Sequence, residues 1–106
     1  MTLQHVVLFS FPQDLSPADA ADMRGQVEAW PDTIPGIRAL RFGTDLTGER
    51  TRGHQYLLYT EFDDEDTLRA YQGHPVHQRF LKWIVDHDCT PLAFDYHLTE
   101  ETVIIG

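Results

Sequence analysis

Three features of the sequence predict an α+β domain of the ferredoxin-like, split βαβ kind, in which helices cover one face of a four-stranded antiparallel sheet. Short runs rich in β-branched and aromatic residues alternate with stretches of helical periodicity, in the order β-α-β-β-α-(α)-β. Pro and Gly fall at the junctions between these runs, where the backbone must change direction. The chain has 106 residues, 42% of them apolar, so it can bury one ordinary core and not two.

The first strand is expected over residues 3–11, where Leu3-Gln4-His5-Val6-Val7-Leu8-Phe9-Ser10-Phe11 runs into Pro12. Ser16-Pro17-Ala18-Asp19 reads as a helix start, with a Ser cap, Pro at the position whose N–H is dispensable, and an acid in the first turn. Ala20, Met23, Val27 and Trp30 follow at helical spacing, and Pro31 with the Ile34-Pro35-Gly36-Ile37 turn is expected to end the helix. A second strand is expected over residues 37–43. Thr44 to Gly53, with two Gly, three Thr and several charges, reads as a loop into a third strand over 55–62. Asp63-Asp64 can cap a short helix containing Leu68 and Tyr71. His74-Pro75 breaks it before a further helix bearing Phe80, Trp83 and Ile84. Pro91 opens the last strand, Leu92 to His97, so residues 1–97 form the domain and 98–106 a C-terminal tail.

Both faces of the first strand want to be dry. Its odd positions hold Leu3, His5, Val7, Phe9 and Phe11, and its even positions include Val6 and Leu8. Helices can cover only one face of a sheet, so the other is expected to meet a second copy of itself in a homodimer.

Eight Lys and Arg against seventeen Asp and Glu give a net charge of −9, a field that repels nucleic acid and anionic membrane surfaces alike. Cys89 is the only cysteine, which excludes an intramolecular disulfide and a thiolate zinc site. No signal peptide or apolar span is legible, and the expected location is the cytoplasm. Pro75 separates His74 from His77, and Asp86-His87-Asp88 reads as a solvated helix end, so no metal site is expected. Asp63-Asp64-Glu65-Asp66 lacks the alternation and central Gly of a calcium loop, and phosphate loops and dinucleotide fingerprints are missing, so no cofactor is expected.

Three strings carry a family resemblance: His5-Val6-Val7-Leu8-Phe9 opening the first strand, Tyr71-Gln72-Gly73-His74-Pro75-Val76-His77 after the third, and Phe94-Asp95-Tyr96 in the last. With them, over roughly residues 3 to 97, the chain resembles the stress-responsive dimeric α/β barrel (Dabb) family. The resemblance implies a homodimer whose two sheets face each other across a barrel with an interior cavity. The family includes plant stress proteins without established chemistry and a polyketide cyclase that closes an aromatic ring by a cofactor-free aldol condensation. By that resemblance His77 is the catalytic histidine, Tyr71 the catalytic tyrosine and Asp95 the aspartate that orients the histidine, while His5 matches a histidine lining the pocket. A further pocket histidine of the cyclase falls at Tyr56, so the cavity lining differs.

His77 with Asp95 is the unit that proton abstraction needs, since a carboxylate sets the imidazole tautomer and stabilises its cation. The Tyr71 hydroxyl could then hold a carbonyl or enolate oxygen. A structural reading stands beside it: a buried His77 bonded to Asp95 and Tyr71 would satisfy polar groups that the helix break exposes. His74 before Pro75 reads as a junction residue, and Cys89 as a small buried hydrophobe. The sequence thus predicts a pocket for a hydrophobic or aromatic small molecule, lined by His5, Tyr56, Tyr71, His77, Phe80 and Trp83. The protein is either a cofactor-independent cyclase or lyase, or a non-catalytic stress-responsive structural or binding protein.

Overall fold

The computed structural model describes residues 2–106. The expected element order is borne out: β1 (Leu3–Ser10), α1 (Pro17–Thr33), β2 (Ala39–Thr44), β3 (His54–Phe62), α2 (Glu65–Gly73), α3 (Pro75–Asp86) and β4 (Thr90–His97). The strands form one antiparallel sheet in the order β2-β3-β1-β4, which places the most apolar strand second from one edge and leaves β4 an edge strand.

The helix starts follow the sequence signals. Ser16 Oγ accepts from the Asp19 N–H at 3.1 Å at the head of α1, and Asp64 Oδ1 from the Thr67 N–H at 2.8 Å at the head of α2. These bonds satisfy donors that the first helical turn leaves without partners. The end of α1 departs from expectation, because the helix runs through Pro31 to Thr33. A proline in the last turn removes a single ladder bond, and the Ile34 N–H still reaches the Trp30 carbonyl at 2.7 Å while the Thr33 hydroxyl donates to the Ala29 carbonyl at 2.9 Å. Gly36 makes the turn at φ +93°, where a Cβ would also stand 2.4 Å from Cγ2 of Thr67, and β2 begins two residues later than expected. His74 ends α2 with extended backbone and turns its Nδ1 to accept from the Val76 N–H at 3.1 Å, capping α3.

The helices cover the face of the sheet that carries Leu3, His5, Val7 and Phe9. Met23, Val27 and Trp30 of α1, Leu68 and Tyr71 of α2, and Phe80 and Ile84 of α3 are buried against it. The opposite face is bare. There Leu92 and Phe94 are 56% and 67% exposed, with Leu57 and Tyr96 exposed beside the half-buried Val6 and Leu8. A polar cluster on it joins the Tyr59 hydroxyl to the Gln4 and Glu61 side chains, with the Arg41 guanidinium 5.3 Å from the centre of the Tyr59 ring. Among the described residues, no helix is long and apolar enough to cross a membrane.

Candidate functional site

The antiparallel register sets the first pair. His5 on β1 lies directly across from Asp95 on β4, and His5 Nδ1 bonds a carboxylate oxygen of Asp95. A carboxylate only accepts, so Nδ1 carries the proton, and in the neutral imidazole Nε2 is the nitrogen that holds the lone pair. The break between α2 and α3 sets the second pair, turning the Tyr71 and His77 rings to a centroid distance of 4.3 Å. Nδ1 of His77 donates to the Gln72 carbonyl at 3.3 Å, an oxygen that also accepts from Gln78 Nε2 at 2.6 Å. The same tautomer follows for His77. Tyr71 stands between the two imidazoles, with its ring centre 6.1 Å from that of His5.

These three side chains line a cavity of about 240 Å³ between the sheet and the α2–α3 pair, whose remaining wall is largely apolar, with Val7, Phe9, Leu58, Phe80, Leu81 and Ile84. Pro91 and Ala93 of the exposed strand β4 border it, so the cavity opens beside that edge. Gln72 belongs to its wall and also to an outer cleft of about 400 Å³, where Asp95 lies with Glu65, Arg69 and His97.

Burial sets the electrostatics. The His77 imidazole is pulled down to about 4, chiefly by loss of water, with the Gln72 carbonyl opposing and His5 and His74 adding to the shift. It is therefore neutral throughout the neutral range. The Tyr71 hydroxyl is pushed up from its ordinary value by burial, and it has no hydrogen-bond partner. A buried hydroxyl without an acceptor is costly to the fold, so Tyr71 is held there by the packing of its ring. Burial likewise raises the Cys89 thiol to about 11, against a smaller opposing effect of the Ser10 backbone, which fits a packed thiol and not a nucleophile. Among the described residues, no three His, Cys, Asp or Glu side chains cluster as metal ligands.

The expected site is brought together in part. His5, Tyr71, His77 and Phe80 share the cavity, whereas Asp95 bonds His5 and not His77. Tyr56 and Trp83 lie outside this cavity. Tyr56 is four positions along β3 from Thr60, the residue paired with His5, and it stacks on Phe42 at 5.7 Å near the 44–53 loop. Trp83 is six residues beyond His77, about 240° around the helix; its indole donates to Asp22 at 2.8 Å and its ring stacks on His87 at 3.9 Å. The same arithmetic would have found two residues that sequence reasoning missed, since Leu81 and Ile84 follow His77 by four and seven positions and share its face. Stepping by two from Asp95 along the strand would have found Ala93 and Pro91. Gln72 and its carbonyl carried no signal beyond their place in the Tyr71 to His77 string.

Sheet order, one-sided helical layer and the pocket between them define a ferredoxin-like α+β protein. The chain belongs to the stress responsive A/B barrel domain family (Dabb), whose profile matches residues 3–98. A dimeric ferredoxin-like protein of unknown function from Thermobifida fusca is similar at 28% identity, with 92% of each chain covered and a TM-score of 0.79. The hydroxynitrile lyase of Passiflora edulis superposes with a TM-score of 0.82 at 17% identity, covering 96% of this chain and 97% of the lyase. A cofactor-independent oxygenase of Streptomyces nogalater does so with 0.70 at 15% identity, covering 96% of each chain. At those identities the likeness is one of fold. No curated protein matches the sequence significantly.

Proposed function

We propose that this protein is a homodimeric, cofactor-independent enzyme of the cyclase or lyase kind, acting by proton transfer on a hydrophobic or aromatic carbonyl compound. The observation that carries the reading is Tyr71, whose side chain lines an apolar cavity between two histidines and whose hydroxyl is buried without a partner. A carbonyl oxygen accepting from that hydroxyl places the adjacent C–H bond among the imidazoles. His77, neutral with its proton on Nδ1, is the base that removes the carbon-bound proton on Nε2. The charges that this creates, an enolate held by Tyr71 and an imidazolium, offset each other in a dry site. A volume equal to about eight waters of liquid suits a small ligand with an apolar tail. The bare sheet face, with Phe94 and Leu92 exposed, is the surface for the second copy, as in relatives described as dimeric.

The test is deuterium incorporation next to the carbonyl of acetophenone and 2-heptanone in D2O, followed by proton NMR. Wild-type protein is expected to accelerate exchange, and His77→Gln and Tyr71→Phe to slow it at least 100-fold, the usual size of a general-base contribution. Wild-type protein that binds neither ketone and exchanges neither overturns the reading in favour of a structural role for the His-Pro-x-His junction.

A further inference from the structure

Strand register lays out the bare face as a grid. Arg41, Tyr59, Val6 and Phe94 make one row across the four strands, and Glu61 stands in the next row, diagonally beside Arg41. Across these two rows and the third, which ends in Leu92, no other side chain is charged. Neither charge finds an ion-pair partner in its own chain among the described residues. The Arg41 guanidinium lies over the Tyr59 ring, and the Glu61 carboxylate accepts from the Tyr59 hydroxyl at 3.0 Å. In water this arrangement is harmless. In a dry contact each charge without a counter-ion is strongly unfavourable, so a face that carries both into an interface must pair them there.

We propose that the second copy is seated by two reciprocal ion pairs, Arg41 with the partner's Glu61 and Glu61 with the partner's Arg41. This rests on the homodimer proposed above and adds its orientation. In a two-fold contact a residue that touches a second residue of the partner is itself matched by the reverse contact. An axis lying in the contact plane midway between Arg41 and Glu61 therefore forms both pairs at once. Strands stand about 4.8 Å apart and residues about 3.4 Å apart along them, so on the grid that axis runs oblique to the strands and passes beside Val6. The same rotation sets Phe94 against the partner's Leu8, so the charged corner and the apolar corner are satisfied by one operation. The strands of the two copies then cross at roughly 70°, toward the orthogonal class of sheet packing.

Charge reversal followed by mixing tests this on the full chain, with mass read by light scattering and native mass spectrometry. Arg41→Glu and Glu61→Arg, each alone, set like charges against one another. Each is expected to raise the dimer dissociation constant at least 100-fold with near-UV circular dichroism unchanged. Mixed in equal amounts, the two variants are expected to form a heterodimer within about tenfold of the wild-type constant, because each chain then carries the complement of the other. An ion pair internal to one chain could not be restored by mixing. Variants that stay monomeric when mixed overturn the proposal, as do single variants that dimerise within threefold of wild type. If a reversal disturbs the near-UV spectrum, Arg41→Gln and Glu61→Gln replace it, with at least tenfold weakening expected and an unchanged constant overturning the pairs. These failures leave the homodimer standing, whereas wild-type protein of monomer mass at micromolar concentration overturns both readings.

Discussion

One sheet presents two faces built from the same strands, and they end in opposite surroundings. On the covered face, odd-numbered residues of β1 are sealed under three helices, and His5 of that strand lines a pocket with Tyr71 of α2 and His77 of α3. On the bare face, Leu92, Phe94 and Tyr96 stand exposed with no helix above them. The difference teaches that apolar residues alone do not say what covers them. The helices supply one layer, and the other face is left uncovered, the surface on which the proposed dimer rests.

The largest expected effect breaks the covered face. Trp30 is fully buried and packs edge-on against Tyr71 and Phe80 at 5.7 and 4.9 Å, so Trp30→Ala should cost about 3–5 kcal/mol in urea unfolding. A loss under 1 kcal/mol would mean that the aromatic cluster around His77 is not the centre of the core.

A substitution on the bare face should act differently. Phe94→Glu is expected to leave the monomer's near-UV circular dichroism intact and to raise the dimer dissociation constant at least 30-fold, about 2 kcal/mol. Light scattering that gives wild type and variant the same mass would show that this face is not the contact.

Acid sharpens the comparison, because the covered face holds a histidine that resists protonation. The folded value of about 4 for His77 lies below the ordinary 6.5, so between these pH values the unfolded chain takes up a proton that the native one does not. The stabilisation is complete above pH 6.5 and is lost as pH falls toward 4. We expect His77 to account for about 1–2 kcal/mol of lost stability between pH 6.5 and 5, seen as a flatter pH dependence in His77→Gln. Parallel curves for the two proteins would place His77 in water.

The smallest effect concerns how the covering layer begins. Ser16→Ala removes the cap of α1 and should cost about 1 kcal/mol, measured by thermal unfolding, without altering the dimer mass. A changed mass would tie the helical layer to the interface.

Much of this was legible before any coordinates. Ser16, Asp64, Gly36 and the His74-Pro75 step marked the element boundaries because capping and φ restriction are local properties of a few neighbouring residues. Period-two alternation in β1 announced both faces, and the Tyr71 to His77 string pointed to the pocket. Pro31 misled the reading of α1, since a proline breaks a helix only where the lost N–H and the ring clash outweigh the packing of Trp30 that holds the last turn in place.

What the sequence determined by itself is whatever depends on near neighbours: the order of strands and helices, their caps and the one domain of apolar material. What only the tertiary structure decided is which distant groups meet. The pairing of His5 with Asp95, ninety positions apart, follows from the β1–β4 register, and the exclusion of Trp83 from the cavity follows from the rotation of α3 against the sheet. Local propensities set neither quantity; both emerge when the helical layer closes over the sheet and strand register brings distant residues together.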